Sequence, residues 1–234
     1  MRRVLLILAL ASCGRGASPS EVEQLEAPNP ANPSSTHYMG RELAETMSHL
    51  GASWLTRDNR DDEENTTLMH QQLGLKAGDV ACDVGAGNGY HTLRMARAVG
   101  AEGRAIGVDL QPEMLALLAE RAQAEAVANV ETVLAEADDP KLPAKTCDVI
   151  LLVDVYHELS DPEAVLGHLR NALTDTGRIA LLEYRAEDPE VPIKALHKMS
   201  KRQILAEYNA NGLVLHSEFD GLPWQHMMFF VPGD

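Results

Sequence analysis

The chain has 234 residues, 45% hydrophobic and only 4% aromatic, enough for one α/β domain with a full core but too few for a second independent domain. A formal net charge of -15 and a sequence pI near 4.9 repel a phosphate backbone, and no Lys/Arg stripe interrupts that picture. Nucleic acid is therefore not expected as partner or substrate.

In chain order, Arg2-Arg3 form a charged start and residues 4–11 an apolar run too short to span a bilayer. Leu10-Ala11-Ser12-Cys13 then reads as a lipobox. It resembles a bacterial lipoprotein signal, which implies removal of residues 1–12 and a membrane anchor through a lipidated Cys13. Residues 13–36, rich in Ser, Pro, Asn, Gly and Glu, read as a flexible tether. The expected location is the bacterial cell envelope, facing the periplasm or outer surface; without that processing the chain would be cytoplasmic. Residues 37–76 read as a helical cap: Leu43, Met47 and Leu50 make an apolar stripe that stops at Gly51, and a second helix over about 62–73 stops at Gly74. Between them lies a loop, 52–57, anchored by Trp54. The cap is either a lid on a ligand cleft or packing for a sheet.

From residue 77 to 234 strands and helices alternate. Strands are expected at 80–84, 104–109, 130–134, 148–153 and 177–184, and helices at 90–99, 112–126, 162–173 and 200–210. Two final strands, 213–219 and 227–231, have no helix between them and must pair antiparallel. This is a mainly parallel, doubly wound sheet with a terminal hairpin. Cys82 and Cys147 are placed at opposite ends of neighbouring strands, roughly 10 Å or more apart, so no disulfide is expected between them.

The strand at 80–84 runs into Asp83-Val84-Gly85-Ala86-Gly87-Asn88-Gly89-Tyr90, and Asp109 ends the next strand. A dinucleotide fingerprint needs its third glycine one position later, where Tyr90 stands. A nucleoside without a diphosphate needs only a glycine turn flat against its tail and an acid for its ribose. The stretch resembles motif I of the class I S-adenosylmethionine-dependent methyltransferases. That resemblance implies a seven-stranded Rossmann-like fold, S-adenosylmethionine as cofactor, and an enzyme that methylates a small molecule. It places Asp83, Gly85, Ala86, Gly87 and Gly89 at the methionine end and Asp109 with Leu110 at the ribose. In Glu136-Ala137-Asp138, either Glu136 or Asp138 stands at the adenine.

Asp154-Val155-Tyr156-His157-Glu158 resembles motif IV, which lines the gap between donor methyl and acceptor. It lacks the Asn-Pro-Pro-Tyr-like tetrapeptide of enzymes that methylate nucleic-acid and glutamine nitrogens, so a small-molecule acceptor is expected. Asp154 falls to the cofactor, and Tyr156, His157 and Glu158 to catalysis. His157 is either a general base for a hydroxyl or thiol, or a loop histidine bonded to backbone. The blocks 40–44, 54–57, 183–185, 192–199 and 223–226 resemble a sparsely characterised bacterial group of predicted methyltransferases. His157, His197 and His226 match no ligand spacing, and no metal is expected. An accessory protein that keeps the fold without turnover is the alternative, because S-adenosylmethionine is made in the cytoplasm while the lipobox sends the domain outside.

Overall fold

The computed structural model describes residues 36–233; the expected signal peptide, and the tether up to residue 35, lie outside the described residues. The cap opens with a two-stranded hairpin, β1 (His37–Tyr38) and β2 (Arg41–Glu42). A 3-10 helix over His49–Thr56 follows, then α1 (Arg60–Glu64) and α2 (Thr66–Leu73). The helix expected on the Leu43, Met47, Leu50 stripe does not form, and Leu50 is 85% exposed. Its backbone donors go elsewhere. Ala44 N–H bonds the His157 carbonyl, Met47 N–H the Glu158 carboxylate and His49 N–H the Gln111 side chain, at 3.1, 3.1 and 2.8 Å. Tertiary partners have replaced the helical ladder. The second expected helix is broken at Asn65, whose φ of 50° ends α1 and whose side chain caps α2.

The rest follows the expected alternation. In order come β3 (Val80–Val84), α3 (Tyr90–Val99), β4 (Arg104–Asp109), α4 (Pro112–Ala124), β5 (Val130–Leu134) and β6 (Cys147–Val153). Then come α5 (Pro162–Ala172), β7 (Leu173–Arg185), β8 (Lys198–Met199), α6 (Lys201–Ala210), β9 (Leu213–Phe219) and β10 (Gln225–Pro232). Pro112 and Pro162 each start a helix, and the Asp161 side chain accepts from Ala164 N–H at 3.1 Å. The sheet order is β5-β4-β3-β6-β7-β10-β9, with β8 beside the end of β7. Pairs are parallel up to β7, while β10 runs antiparallel to both β7 and β9. Alternate residues feed two cores: Cys82, Ile150 and Leu152 on one face, Ala81, Val149 and Leu151 on the other. Because the chain winds outward one way from β3 and the other way from β6, a switch point opens at the carboxyl ends of these two strands.

One expectation is overturned. Cys82 and Cys147 form a disulfide, with Cα atoms 6.0 Å apart. The estimate of their separation assumed a regular strand from residue 147, but β6 enters irregularly. Its register against β7 shifts between Cys147 and Val149, and the Asp148 carboxylate takes the Val80 N–H at 2.9 Å. The same irregularity pairs Cys147 with Leu173, so β7 begins there rather than at 177.

A buried polar chain ties the cap to α3 and makes the fold acid-sensitive. The Arg60 guanidinium donates to His91 Nε2 at 3.1 Å, so the His91 proton sits on Nδ1 and is donated to His70 Nε2 at 3.0 Å. His70 must then carry its proton on Nδ1, which is buried with no partner among the described residues. A second proton on either ring would set donor against donor. Burial, reinforced by Arg94 and Arg60, pushes His70 down to about 3, and burial with Arg60 lowers His91 well below the ordinary histidine value. With both depressed, the unfolded chain binds more protons below pH ~6.5, and stability falls as pH drops from there toward 3. His70 alone should cost on the order of 2 kcal/mol by pH 4.5. Urea melts of wild type and His70→Gln check this: their difference in stability should shrink on acidification, and a pH-independent difference would contradict it.

Candidate active site

The switch point opens into a cleft of about 590 Å³, within the usual range for small-molecule sites. Its floor is the turn after β3. Gly85 has φ 74°, and a Cβ there would run into the Val155 side chain from the turn after β6. Gly89 has φ 82° and starts α3, where a Cβ would strike Leu118. Only glycine takes both the left-handed backbone and the close approach. Asp109, at the end of β4, is 8% exposed and lines the cleft. Its Oδ2 accepts from Gly87 N–H at 2.8 Å and its Oδ1 from Gln111 N–H at 2.9 Å. Each oxygen keeps a lone pair for a ligand.

Gly85, Gly87, Leu110, Glu136 and Ala137 also line the cleft. Ala86, Gly89, Asp83 and Asp138 do not. Of the two acids after β5, Glu136 is thus the one at the cleft, with Lys141 Nζ 3.2 Å from its carboxylate. Asp83 lies beneath the floor, accepting from Thr92 Oγ1 at 2.5 Å, and burial pushes it up to about 6. Its influence on a ligand would pass through the β3 turn that it supports.

The turn after β6 supplies the opposite wall. Asp154 has φ 53°, its Oδ2 accepts from Gln225 at 2.7 Å, and its Oδ1 is buried with no partner among the described residues. Burial, with Glu64 and Glu183 nearby, raises its pKa far above the carboxylate range. Tyr156 is fully buried away from the cleft, its hydroxyl donating to Glu207 at 2.6 Å, so it holds α6 and cannot touch a ligand. His157 and Glu158 do line the cleft. His157 is clamped by Glu183, which accepts from the ring Nδ1 at 2.6 Å and from the backbone N–H at 3.2 Å. Burial disfavours the charged ring, yet Glu183 outweighs it and raises the His157 pKa. Glu158 Oε2 accepts from Met47 N–H, and burial raises its pKa. His157 Nε2 faces His197 Nδ1 at 2.9 Å, whereas His226 turns to Glu187 at 2.8 Å, so two of the three histidines meet.

The cap closes the remaining side. Thr46, Met47, Trp54, Leu55 and Arg60 line the cleft, and the non-helical strap of residues 43–48 is pinned by Arg41, whose guanidinium bonds Glu207 at 2.6 and 3.1 Å and the His157 carbonyl at 3.1 Å. Arg60, Glu207 and Gln111 are participants that sequence reasoning missed, and Glu183 stood out in it only as part of the 183–185 block, with no role assigned. Each is a buried or half-buried polar group that makes at least one contact with a residue far away in the chain. The nearest signal was Glu183 at the carboxyl end of a strand.

A family model described as a methyltransferase domain matches residues 75–223. The chain is 29% identical over 136 residues to the ubiquinone/menaquinone biosynthesis C-methyltransferase UbiE of Marinomonas sp. (strain MWYL1), covering 58% of this chain and 54% of that one. It is 27% identical over 165 residues to the demethylmenaquinone methyltransferase of Shouchella clausii (strain KSM-K16), covering 70% and 68%. It thus spans about half the length of the first of these relatives. In structure it resembles a SAM-dependent methyltransferase from Aquifex aeolicus, with a TM-score of 0.74 at 21% identity over 79% of this chain and 98% of that one. With the glycine turn, Asp109 and the strand order in place, the chain belongs to the class I S-adenosylmethionine-dependent methyltransferases.

Proposed function

We propose that the enzyme methylates a small, largely apolar molecule bearing a hydroxyl or comparable group. The observation that carries this is the continuity of one cleft from the Gly85, Gly87 and Asp109 floor to an end lined by Leu159, Val165, Pro192 and Ile193 with His157 and Glu158. Two features fit S-adenosylmethionine: the free lone pairs of Asp109, and the Oδ1 of Asp154, which has no partner among the described residues. When bound, this cofactor supplies a methyl group already activated on a sulfonium. The chain's own work is placement. Asp109 would hold the ribose hydroxyls, and Asp154 would be available to the amino group. Arg60 lines the same end of the cleft, its guanidinium paired with Glu64 at 2.8 Å. Thr46, Met47 and Trp54 exclude water, and the apolar end holds an acceptor in line for displacement.

The two relatives named above carry names that refer to quinone rings, and the apolar lining is of a kind that suits such rings. The test is incubation with methyl-labelled S-adenosylmethionine and a panel of hydroquinones, catechols and thiols, followed by mass spectrometry. A labelled product gaining one CH₂ supports the proposal. Slow consumption of the cofactor by water alone, across the panel, would refute the acceptor class.

We also propose that the chain works in the cell envelope, anchored through Cys13. The Leu10-Ala11-Ser12-Cys13 box motivates this, and a buried disulfide supports it, since such bonds persist mainly in oxidising compartments. Intact-mass analysis of protein from cells should find a lipidated Cys13 N-terminus that Cys13→Ser abolishes. A cytosolic, unlipidated chain retaining Met1 would overturn it.

A further inference from the structure

We infer that His157, Glu158 and His197 form a divalent transition-metal site, suited to zinc, at the acceptor end of the cleft. His157 Nε2 and His197 Nδ1 are 2.9 Å apart, and Glu158 Oε1 is 3.7 Å from each. A zinc ion with bonds of about 2.0–2.1 Å to its ligands keeps tetrahedral donors about 3.4 Å apart. The three atoms therefore need shifts of only tenths of an ångström to share one ion.

Their surroundings prepare them for it. Glu183, fully buried, accepts a hydrogen bond from His157 Nδ1–H at 2.6 Å and leaves Nε2 with its lone pair toward the other two ligands. A carboxylate behind a ligating histidine is the usual support of such sites. The Glu158 carboxylate is held through Oε2 by Met47 N–H at 3.1 Å, which leaves Oε1 free. Two histidines and one carboxylate are three protein ligands, so a position stays open, as in catalytic rather than structural sites. All three residues line the cleft. An acceptor hydroxyl could complete the coordination, and a cation there would lower its pKa. That role rests on the methyl-transfer reading; the binding of the ion does not.

The experiment is calorimetric titration of the full-length chain, stripped with a chelator, with zinc chloride, alongside cobalt(II) absorption spectra. One ion per chain should bind. His197→Ala should weaken it at least tenfold without lowering the metal-free melting temperature, because that side chain is half-exposed on a 3-10 turn. Glu183→Gln, which leaves every ligand in place, should weaken it about 10–100-fold. Absence of zinc uptake by the wild type, or equal affinity of His197→Ala, would overturn the site. Binding of S-adenosylhomocysteine, measured in parallel, separates the two ideas. If it persists where zinc fails, only the metal site falls; if zinc binds and the nucleoside does not, only the methyl-transfer reading falls.

Discussion

Asp109→Ala is expected to weaken S-adenosylmethionine binding by at least about a hundredfold while leaving the fold intact. The carboxylate would lose two charge-assisted hydrogen bonds to ribose hydroxyls, each worth roughly 1.5–3 kcal/mol, and 2.7 kcal/mol is already two decades of affinity. The loss is compounded because the same oxygens order the floor: Gly87 N–H and Gln111 N–H, now bonded at 2.8 and 2.9 Å, would be left without acceptors. Gln111 in turn holds the strap, donating to the Met47 carbonyl and accepting from His49 N–H. Asp109→Asn should fall between, since an amide keeps one acceptor but turns an NH₂ toward one of those donors. Calorimetry on the three proteins decides it; equal affinities would remove Asp109 from the site.

Removing the disulfide should have the largest effect on stability. Cys82 and Cys147 are separated by 65 residues, and chain-entropy arithmetic for a loop of that length gives about 4 kcal/mol of stabilisation. In a domain of this size that corresponds to about 10 °C in melting temperature. The double variant Cys82→Ala/Cys147→Ala is the right probe, since both sulfurs are fully buried and alanine leaves no polar group behind. Thermal melts of wild type with and without reductant, beside the double variant, should show the drop. Alkylation of Cys82 and Cys147 in denatured, unreduced wild type would contradict the bond itself.

The parts legible in the sequence were those fixed by local chemistry. Short strand-like runs and a helix opened by the glycine turn placed β3, α3, β4 and β5 with the bounds observed, because each run is continuous in the sequence and stops at a local breaker. The same locality exposed the glycine turn and Asp109. What stayed hidden depends on long-range pairing. The stripe of Leu43, Met47 and Leu50 suggested a helix, yet that backbone is claimed by His157, Glu158 and Gln111. Tyr156 stood in a catalytic motif, but its hydroxyl answers Glu207, 51 residues on. Glu183 gave only a weak sign, since its clamp on His157 is made across the gap between two strand ends. The disulfide was missed because a register shift at Cys147, invisible in the alternation of residues, brings the two cysteines together.

The central claim is that the β3–β6 cleft is a nucleoside site for S-adenosylmethionine. Its most direct test is equilibrium titration of the purified protein with S-adenosylmethionine, S-adenosylhomocysteine and NADH. The account predicts one site per chain for both sulfur nucleosides and no detectable binding of NADH, whose diphosphate would meet Tyr90 where a dinucleotide turn carries glycine. Binding of NADH, or of neither sulfur nucleoside, would contradict it.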